Sequence, residues 1–263
     1  MKKTLIAIAA LFVCYLINLW LGLILTLGAI SYLLIKNIDS IYGLLGSRAY
    51  AENKKDKAIR WYEKAIASGK ASASVRINYA MILLRTGNPK RAEEEFNAVI
   101  SNKAYSESEK RSAKEYRCMA YLKQGNTELA YSEANSLFHD IKNTITYGII
   151  GYLMQLVETT PEEHLALCEE AYDYNSDDRD ITDNLIVALI RNDDLDRASE
   201  LAADLRDKHP TFVEAFYHSA LIELKRGNKD LAKEYLSHTK DCRRSYLTTV
   251  SEEEIELLCK EAE

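Results

Sequence analysis

Proline and glycine are scarce in this sequence, which has three prolines and ten glycines among 263 residues. Because both residues interrupt helices and shape tight turns, their scarcity favours many helices joined by short turns over a β-rich fold. The remaining composition, 47% hydrophobic and 28% charged, is enough to bury a sizeable core. The sequence therefore predicts an all-α protein.

The cysteines do not pair in any recognisable motif. There are five, an odd number, and no two of them form a C-x-x-C sequence. This pattern argues against a disulfide framework and against a zinc knuckle. Free thiols of this kind fit a reducing compartment.

Motifs for catalysis and cofactor binding are also lacking. The sequence contains no glycine-rich phosphate loop, no H-E-x-x-H and no G-x-S-x-G. Paired aspartates such as Asp193-Asp194 fall in predicted turns, where aspartate is favoured for backbone reasons. We therefore predict no enzyme activity, no cofactor and no bound metal.

Basic residues do not outnumber acidic ones overall, and the charge is unevenly distributed along the chain. The formal net charge is -6; residues 36–140 carry 18 basic and 13 acidic residues, whereas residues 141–263 carry 14 and 27. Because nucleic-acid binding needs a basic surface, this balance argues against a nucleic-acid partner. The basic excess of residues 36–140 either adds modest attraction to an anionic membrane or is ordinary solvated helix surface.

One long apolar run lies near the N-terminus, where residues 4–35 hold no formal charge. It is about twice as long as the apolar part of a signal peptide, so we predict an uncleaved membrane anchor over residues 1–36. As one straight helix the run would measure about 48 Å, against a hydrocarbon core of about 30 Å. The anchor is therefore either one long transmembrane helix or a helical hairpin with Asn18, Trp20 and Gly22 at its tip.

Basic residues flank both ends of this anchor. Lys2 and Lys3 precede it, and five more basic residues lie between Lys36 and Lys57. The positive-inside rule suits a hairpin with both ends in the cytoplasm, or a single span with its C-terminal side inside. A single span with its N-terminus inside would instead place the rest of the chain outside. We favour the plasma membrane of a bacterium, with the rest of the chain in the cytoplasm.

A short sequence pattern recurs in the rest of the chain: a turn such as Gly-Asn, a short gap and then an alanine. The alanines are Ala58, Ala92, Ala130, Ala198 and Ala232. Their spacings are 34, 38, 68 and 34 residues, so one copy is skipped and is centred on position 164. A period of this length indicates an internal repeat with two helices per unit.

This repeat resembles the tetratricopeptide repeat, in a membrane-anchored protein of bacterial type. The first unit matches the family pattern with Tyr42, Leu45, Gly46, Ala58, Tyr62 and Ala65, and further copies follow in phase. The resemblance implies a right-handed superhelical solenoid of about six units over residues 37–245. A capping helix is expected over residues 246–263, because Ser251 and Glu254 have the capping-box spacing.

The resemblance also implies a function. In this family the first helix of each unit lines a concave groove, so we expect a scaffold or adaptor that binds a peptide or helix of another protein there. The residues at groove positions are Tyr50, Asn78, Met81, Leu84, Glu115, Met119, Leu122 and Tyr217. Met81 and Met119 would supply an adaptable apolar surface for a partner. The alternative for each residue is packing against its neighbours.

The fourth unit departs from the pattern, with Tyr152 and His164 where small residues belong. His164 and Cys168 are four residues apart and share one helix face. An alternative function is therefore an enzyme or regulator with a site in this unit. The repeat register places both residues at interior positions, which favours a packing role.

Overall fold

The computed structural model describes residues 12–263, so residues 1–11, which begin the predicted anchor, lie outside the described part of the chain. Residues 12–17 are helical, and fourteen further α-helices and one short 3-10 turn follow without any strand among the described residues. The predicted all-α fold is confirmed.

The helices follow one another with short connections. Their bounds are α1 Leu19–Lys36, α2 Ile38–Ala51, α3 Lys55–Ala67, α4 Ala73–Arg85, α5 Pro89–Ser101, α6 Glu107–Leu122, α7 Thr127–Asp140, α8 Thr144–Leu153, α9 Pro161–Tyr174, α10 Arg179–Arg191, α11 Leu195–Asp207, α12 Val213–Lys225, α13 Lys229–His238 and α14 Glu252–Ala262. From α2 to α13 they form six consecutive pairs. The chain divides into two compact units, unit 1 up to Tyr79 and unit 2 from Ala80 to Glu263.

The apolar segment of unit 1 reverses direction at Asn18. This residue is extended, with φ -157° and ψ 122°, and its side chain accepts hydrogen bonds from the amides of Trp20 and Leu21. The Tyr15 hydroxyl lies 2.8 Å from the Thr26 hydroxyl, eleven residues along the chain. Eleven residues of continuous helix would separate the two backbones by about 16 Å, so the contact requires a turn. This turn lies at the position expected for the tip of a hairpin, and the membrane anchor itself stays a prediction.

Helix α1 is long enough and apolar enough to cross a membrane. It has 18 residues, and only 6% of that stretch is buried. Its length corresponds to about 27 Å, close to the thickness of a hydrocarbon core. It is the one helix of this kind within residues 12–263, and length and composition are what identify it.

In unit 1, a glycine allows α2 and α3 to approach closely. A Cβ atom at Gly46 would lie 2.6 Å from the ring of Tyr62. The Tyr62 hydroxyl lies 2.7 Å from the Ser47 hydroxyl, and its ring stacks on Tyr79 with 5.7 Å between the ring centres. A side chain at position 46 would therefore push the two helices apart.

The recurring turn of the sequence is a helix C-cap with a left-handed residue. The residues five positions before the repeat alanines have positive φ: Asn53 59°, Gly87 85°, Gly125 84°, Asp193 61° and Gly227 82°. At Gly87, the next amide, that of Asn88, donates to Leu83 O at 2.8 Å, which is the six-residue closure of a Schellman motif. Each turn then leads into a helix whose alanine is fully buried. The turn and alanine pattern recurs in the sequence because the same turn geometry is repeated in these pairs.

The third and fourth pairs differ from the others. Helix α6 has 16 residues, against 13 in α4 and α10, and the turn that follows it, residues 123–126, has four residues against three at 86–88. The four residues by which this spacing exceeds 34 therefore lie in α6 and in that turn, whereas the loop Asn102–Ser106 has the same length as residues 68–72. Helix α8 has only 10 residues and is followed by a seven-residue turn. The departures from the sequence period thus correspond to real changes in helix length.

The last helix closes the apolar core of unit 2. Ser251 and Glu254 form the predicted capping box, and α14 ends at Ala262 as expected. Its Ile255 and Leu258 join a buried cluster with Ala220 of α12 and Leu236 of α13. The outer side of α14 carries its charged residues.

The left-handed turn residue predicts a stabilising substitution, Asp193→Gly. Glycine adopts positive φ without the steric cost that a Cβ atom brings, so the free energy of unfolding should rise by about 0.5–1 kcal/mol. Denaturant unfolding of the detergent-solubilised protein measures it. The matched control is Asp177→Gly, an exposed turn aspartate without positive φ, which should be neutral or destabilising. An equal change in the free energy of unfolding at both positions would contradict the left-handed conformation of Asp193.

Candidate partner-binding site

The segment between α13 and α14 is neither repeat nor helix. Residues 242–251, here called the strap, lack regular structure. One end is held where the Arg243 amide donates to Thr211 O at 2.8 Å. The other end is held by Val250, which is 5% exposed. The predicted boundary between repeats and cap, at residue 245, falls inside this segment.

The middle of the strap contacts the ends of two first helices of unit 2. The Tyr246 amide donates to Arg85 O, at the end of α4, over 3.2 Å. The Lys123 ammonium, just after α6, donates to Thr248 O at 3.4 Å and lies 5.7 Å from the centre of the Tyr246 ring. These contacts join residues more than 120 positions apart in the sequence.

A third helix holds the strap through a buried carboxylate. Glu214 is in the first turn of α12 and is 9% exposed. Its Oε1 accepts hydrogen bonds from the Thr249 amide at 2.6 Å and from the Thr249 hydroxyl at 3.0 Å. A buried carboxylate needs such partners to offset its lost hydration. The surface formed around Arg85, Lys123 and Glu214 is called the strap face below.

Three of the predicted groove residues lie on the same helix faces as these strap contacts. The pairs, one helical turn apart, are Met81 with Arg85, Met119 with Lys123, and Tyr217 with Glu214. Residues three or four apart are neighbours on a helix surface. Met81, Met119 and Tyr217 are half-buried. Met81 and Met119 thus lie beside residues that contact the strap, whereas Tyr217 also packs against the buried cluster that α12 forms with α13 and α14.

Other predicted groove residues lie elsewhere. Leu84 is fully buried, and Glu115 is 3% exposed and accepts a hydrogen bond from the Asn143 side chain at 2.9 Å. Since neither is accessible, both predictions are corrected to packing roles. Leu122 is half-buried and packs against the core around α7 and α8.

Two predicted groove residues belong to unit 1. Tyr50, near the end of α2, is half-buried, and Asn78, on α4, is exposed. Both are accessible within that unit, so their assignment to a partner surface stays a prediction.

The charges of the strap face interact with one another. Burial lowers the pKa of Lys123, and the Glu214 carboxylate opposes that shift. Burial raises the pKa of Tyr152 to about 12, and Glu214 and Glu254 add to the effect. The carboxylate of Glu214 therefore acts on groups from several helices that face the same space.

The same space holds an ion pair and a perturbed aspartate. His218 Nδ1 of α12 lies 2.8 Å from Asp183 Oδ1 of α10. Burial alone would lower the pKa of His218, but the Asp183 carboxylate outweighs it and the pKa is raised. The pKa of Asp180 is raised to about 6, first because surrounding protein displaces water and then because Asp178 and Asp183 repel its charge. Although part of Asp180 stays exposed, the direction of the shift marks this side as acidic.

A cavity of about 530 Å³ adjoins the strap face. Its lining includes Gly87, Lys90, Arg91 and Lys123, so it is basic. A Cβ atom at Gly87 would lie 3.5 Å from the Tyr246 ring, in ordinary contact. The cavity thus opens beside the aromatic residue of the strap.

Sequence reasoning missed Arg85, Lys123, Glu214 and the strap itself. A charged residue one turn from each groove position was the available signal for the first three. The strap had no signal, because residues 242–250 carry neither a helical period nor a repeat match.

The fourth pair buries His164 with both ring nitrogens hydrogen-bonded. Its Nε2 donates to Gly151 O at 2.9 Å, and its Nδ1 accepts from Arg191 Nη1 at 3.1 Å. Arg191 also donates to Met154 O and Thr159 O, which fastens the turn after α8. Burial, opposed by the hydrogen bond to Gly151 and assisted by the Arg191 charge, lowers the pKa of His164 to about 4. The imidazole is therefore neutral at pH 7.

Cys168 is fully buried, and burial raises the pKa of its thiol to about 12. Because the thiolate is the reactive form, this thiol is inert at neutral pH. Among residues 12–263, no three His, Cys, Asp or Glu side chains group as metal ligands. The predicted alternative site around His164 and Cys168 thus has the geometry of core packing.

Comparison with known families gives a match to a tetratricopeptide repeat model over residues 44–109 and 184–240. No curated protein matches the sequence. The two matched stretches lie where the structure has its first two and its last two helix pairs. The tetratricopeptide repeats predicted from the sequence are confirmed in these two stretches.

Solved structures share this fold at low sequence identity. A tetratricopeptide repeat protein from Parabacteroides merdae has a TM-score of 0.64 and 13% identity, covering 86% of this chain and 84% of that one. Pseudomonas aeruginosa pilF has a TM-score of 0.58 and 15% identity, covering 86% and 99%. A chain of the APC/C hetero-tetramer Cut9–Hcn1 has a TM-score of 0.69 and 15% identity, but this chain spans only 45% of it. At these identities the likeness concerns the fold alone.

The buried histidine predicts a pH dependence of stability. The pKa of His164 is about 4 when folded and about 6.5 when unfolded, so only the unfolded chain takes up a proton between these values. The free energy of unfolding should therefore fall as pH drops below 6.5, by up to about 1.4 kcal/mol per pH unit from this residue. Denaturant unfolding from pH 7 to pH 5 measures the slope.

Substitution isolates the contribution of His164 from those of other titrating groups. His164→Gln should reduce the slope, and the matched control His139→Gln, at an exposed histidine, should leave it unchanged. An unchanged slope in His164→Gln would show that the folded protein protonates this imidazole normally.

Proposed function

Because two stretches of the chain match the tetratricopeptide repeat family, we propose that it is a membrane-anchored scaffold that binds a peptide or helix of a partner protein. Tetratricopeptide repeat proteins commonly mediate protein–protein interactions. The observation that carries the proposal is the strap face of unit 2, where three first helices present half-buried apolar side chains beside charged groups. Its role is to recruit a partner, and it carries no chemistry of its own.

Met81 and Met119 support binding of an apolar side chain. Methionine is flexible and polarisable, so it adapts to partner surfaces of different shape. Tyr217 adds an aromatic side chain on the neighbouring α12, and aromatic residues are enriched at interaction surfaces. The acidic groups Asp180, Asp183 and Glu214 favour a partner segment that is uncharged or basic at the positions that face them.

The alternative function in the fourth unit has no comparable support. A catalytic imidazole needs access to a substrate, whereas both nitrogens of His164 are occupied inside the core. A catalytic cysteine needs a lowered pKa, and that of Cys168 is raised. We therefore assign these residues to stability.

The binding role predicts loss of partner recovery by Met119→Glu. A carboxylate in the apolar part of the strap face would be poorly solvated and would repel the acidic groups nearby, so specific partners should be recovered at least tenfold less. The measurement is quantitative mass spectrometry after affinity capture of the detergent-solubilised protein. Leu129→Glu, at a half-exposed leucine on the second helix α7, is the matched control and should recover the same partners. Equal recovery of the partners by the unsubstituted chain, Met119→Glu and Leu129→Glu would contradict the proposal.

The membrane part of the proposal rests on α1 and on the charges that follow it. The apolar side chains of α1 are largely exposed, including Trp20, Ile24 and Leu27, and Lys36 ends the helix. Exposed apolar surface of this extent needs lipid or a partner protein to cover it. We propose that lipid covers it, in the plasma membrane of a bacterium, and that the repeats lie on the cytoplasmic side.

The native Cys259 provides a topology test. It is exposed on α14, whereas Cys118 and Cys168 are buried. A membrane-impermeant maleimide should label Cys259 only after permeabilisation of the cells, because the repeats are cytoplasmic in the proposal. Cys259→Ser controls for labelling at Cys14 or Cys242. Labelling of Cys259 in intact cells would place the repeats outside.

A further inference from the structure

The strap occupies the surface that a partner would need. We propose that the strap is an internal ligand of the strap face, and that the partner is a peptide which forms the same turn as residues 245–248, displaces the strap and repeats its contacts. The inference rests on the proposed binding function and adds to it the chemistry of the partner and a means of regulation.

The middle of the strap binds as a tight turn, in which the Thr248 amide donates to Ser245 O at 3.1 Å and the Ser245 amide donates to the Thr248 hydroxyl at 3.1 Å. Its middle part supplies two amide donors, from Tyr246 and Thr249, and one carbonyl acceptor, from Thr248. The strap face supplies the complementary groups, a carbonyl and a carboxylate as acceptors and the Lys123 ammonium as donor. These are mostly backbone groups, so a second peptide that adopts the same turn can make the same bonds.

The distribution of burial along the strap suits release of its middle. Tyr246 is 46% exposed and Thr249 is also exposed, so polar contacts rather than a packed core hold this part. The ends differ, since Val250 is buried and Cys242 is partly buried beside Phe212 O. The strap itself covers Glu214, so its release lets water reach the carboxylate and replace the bonds to Thr249. The middle can therefore leave while both ends stay attached.

The contacts define the partner segment. An aromatic residue is needed to lie by Gly87 and Lys123, and a threonine or serine three positions later to bind Glu214 through its amide and hydroxyl. Proline is excluded at both positions, because each must donate a backbone hydrogen bond. Acidic residues are excluded near the second position, since Glu214 is itself buried and charged. A turn-forming Tyr-x-x-Thr-like segment, neutral or basic, is the expected ligand.

Because the strap occupies the strap face, it should compete with the partner and weaken the observed binding. The observed affinity equals the intrinsic affinity multiplied by the fraction of molecules whose strap is released. Substitutions in the exposed middle of the strap should raise that fraction without loss of the repeat fold, because they remove no core side chain.

The test uses the full chain in detergent and a fluorescent synthetic peptide with the sequence of residues 242–251, serine replacing the first cysteine. Fluorescence anisotropy should give at least tenfold tighter binding to the double variant Tyr246→Ala/Thr249→Ala than to the unsubstituted chain. Tyr174→Ala, at a tyrosine of similar exposure on α9, is the matched control and should bind like the unsubstituted chain. A scrambled peptide should not bind.

Changes in the peptide test the assigned contacts without any risk to folding. Peptides with alanine for the tyrosine, or valine for the second threonine, should each bind the double variant at least fivefold more weakly. Equal affinity of the double variant and the unsubstituted chain, no binding to the folded double variant, or equal binding of the scrambled peptide would overturn the inference.

Hydrogen exchange provides a second measurement on the unsubstituted chain, which decides the matter if the double variant does not fold. The Tyr246 and Thr249 amides should be protected, and saturating peptide should accelerate their exchange at least tenfold. Unchanged exchange would overturn the inference.

The inference and the proposed function can fail separately. A partner that is lost in Met119→Glu but binds the chain equally with and without the strap substitutions supports the function and overturns the inference. Displacement of the strap by the peptide, with no partner recovered by any form of the chain, supports the inference and contradicts the function.

Discussion

The close approach of paired helices at a fully buried alanine is the constraint on which the repeats depend. These alanines are 0% exposed in five of the six pairs: Ala58, Ala92, Ala130, Ala198 and Ala232. A methyl group is the largest side chain that fits between backbones at this distance, and aromatic residues such as Tyr62 fill the space beside it. A left-handed turn five residues earlier sets the angle of entry, so turn and alanine recur together.

The fourth pair meets the same constraint differently. Its alanine position holds His164, and α8 carries Gly151 opposite, whose carbonyl accepts the imidazole hydrogen bond. Arg191 satisfies the second nitrogen and the turn after α8. A polar residue in the core is thus tolerated because each of its polar atoms has a partner. The irregular unit is a stable variant of the repeat, and burial keeps the His164 imidazole and the Cys168 thiol from reacting.

The repeat also leaves an accessible face, which is formed by the first helices of several pairs. Pairs buried through their alanines leave one side of α4, α6 and α12 uncovered in unit 2. The strap covers part of that side with polar contacts, whereas α14 closes the end of the core with apolar ones. The distinction between a contact that can be exchanged and one that holds the fold follows from burial. It links the packing of this chain to its proposed binding role and to the regulation of that role.

Periodic features were determined by the sequence alone: the all-α fold, the repeat family, the turns, the capping helix from Ser251 and the interior position of His164. They are predictable because each depends on local spacing and recurs. Tertiary structure decided the rest. Leu84 lies three residues after Met81 and Glu115 lies four before Met119, so each pair is adjacent on its helix. Packing against neighbouring helices decides that Leu84 and Glu115 are buried whereas the two methionines stay half-buried. The strap contacts join residues up to 161 positions apart, and no local pattern encodes which distant carbonyl or carboxylate a coil segment will reach.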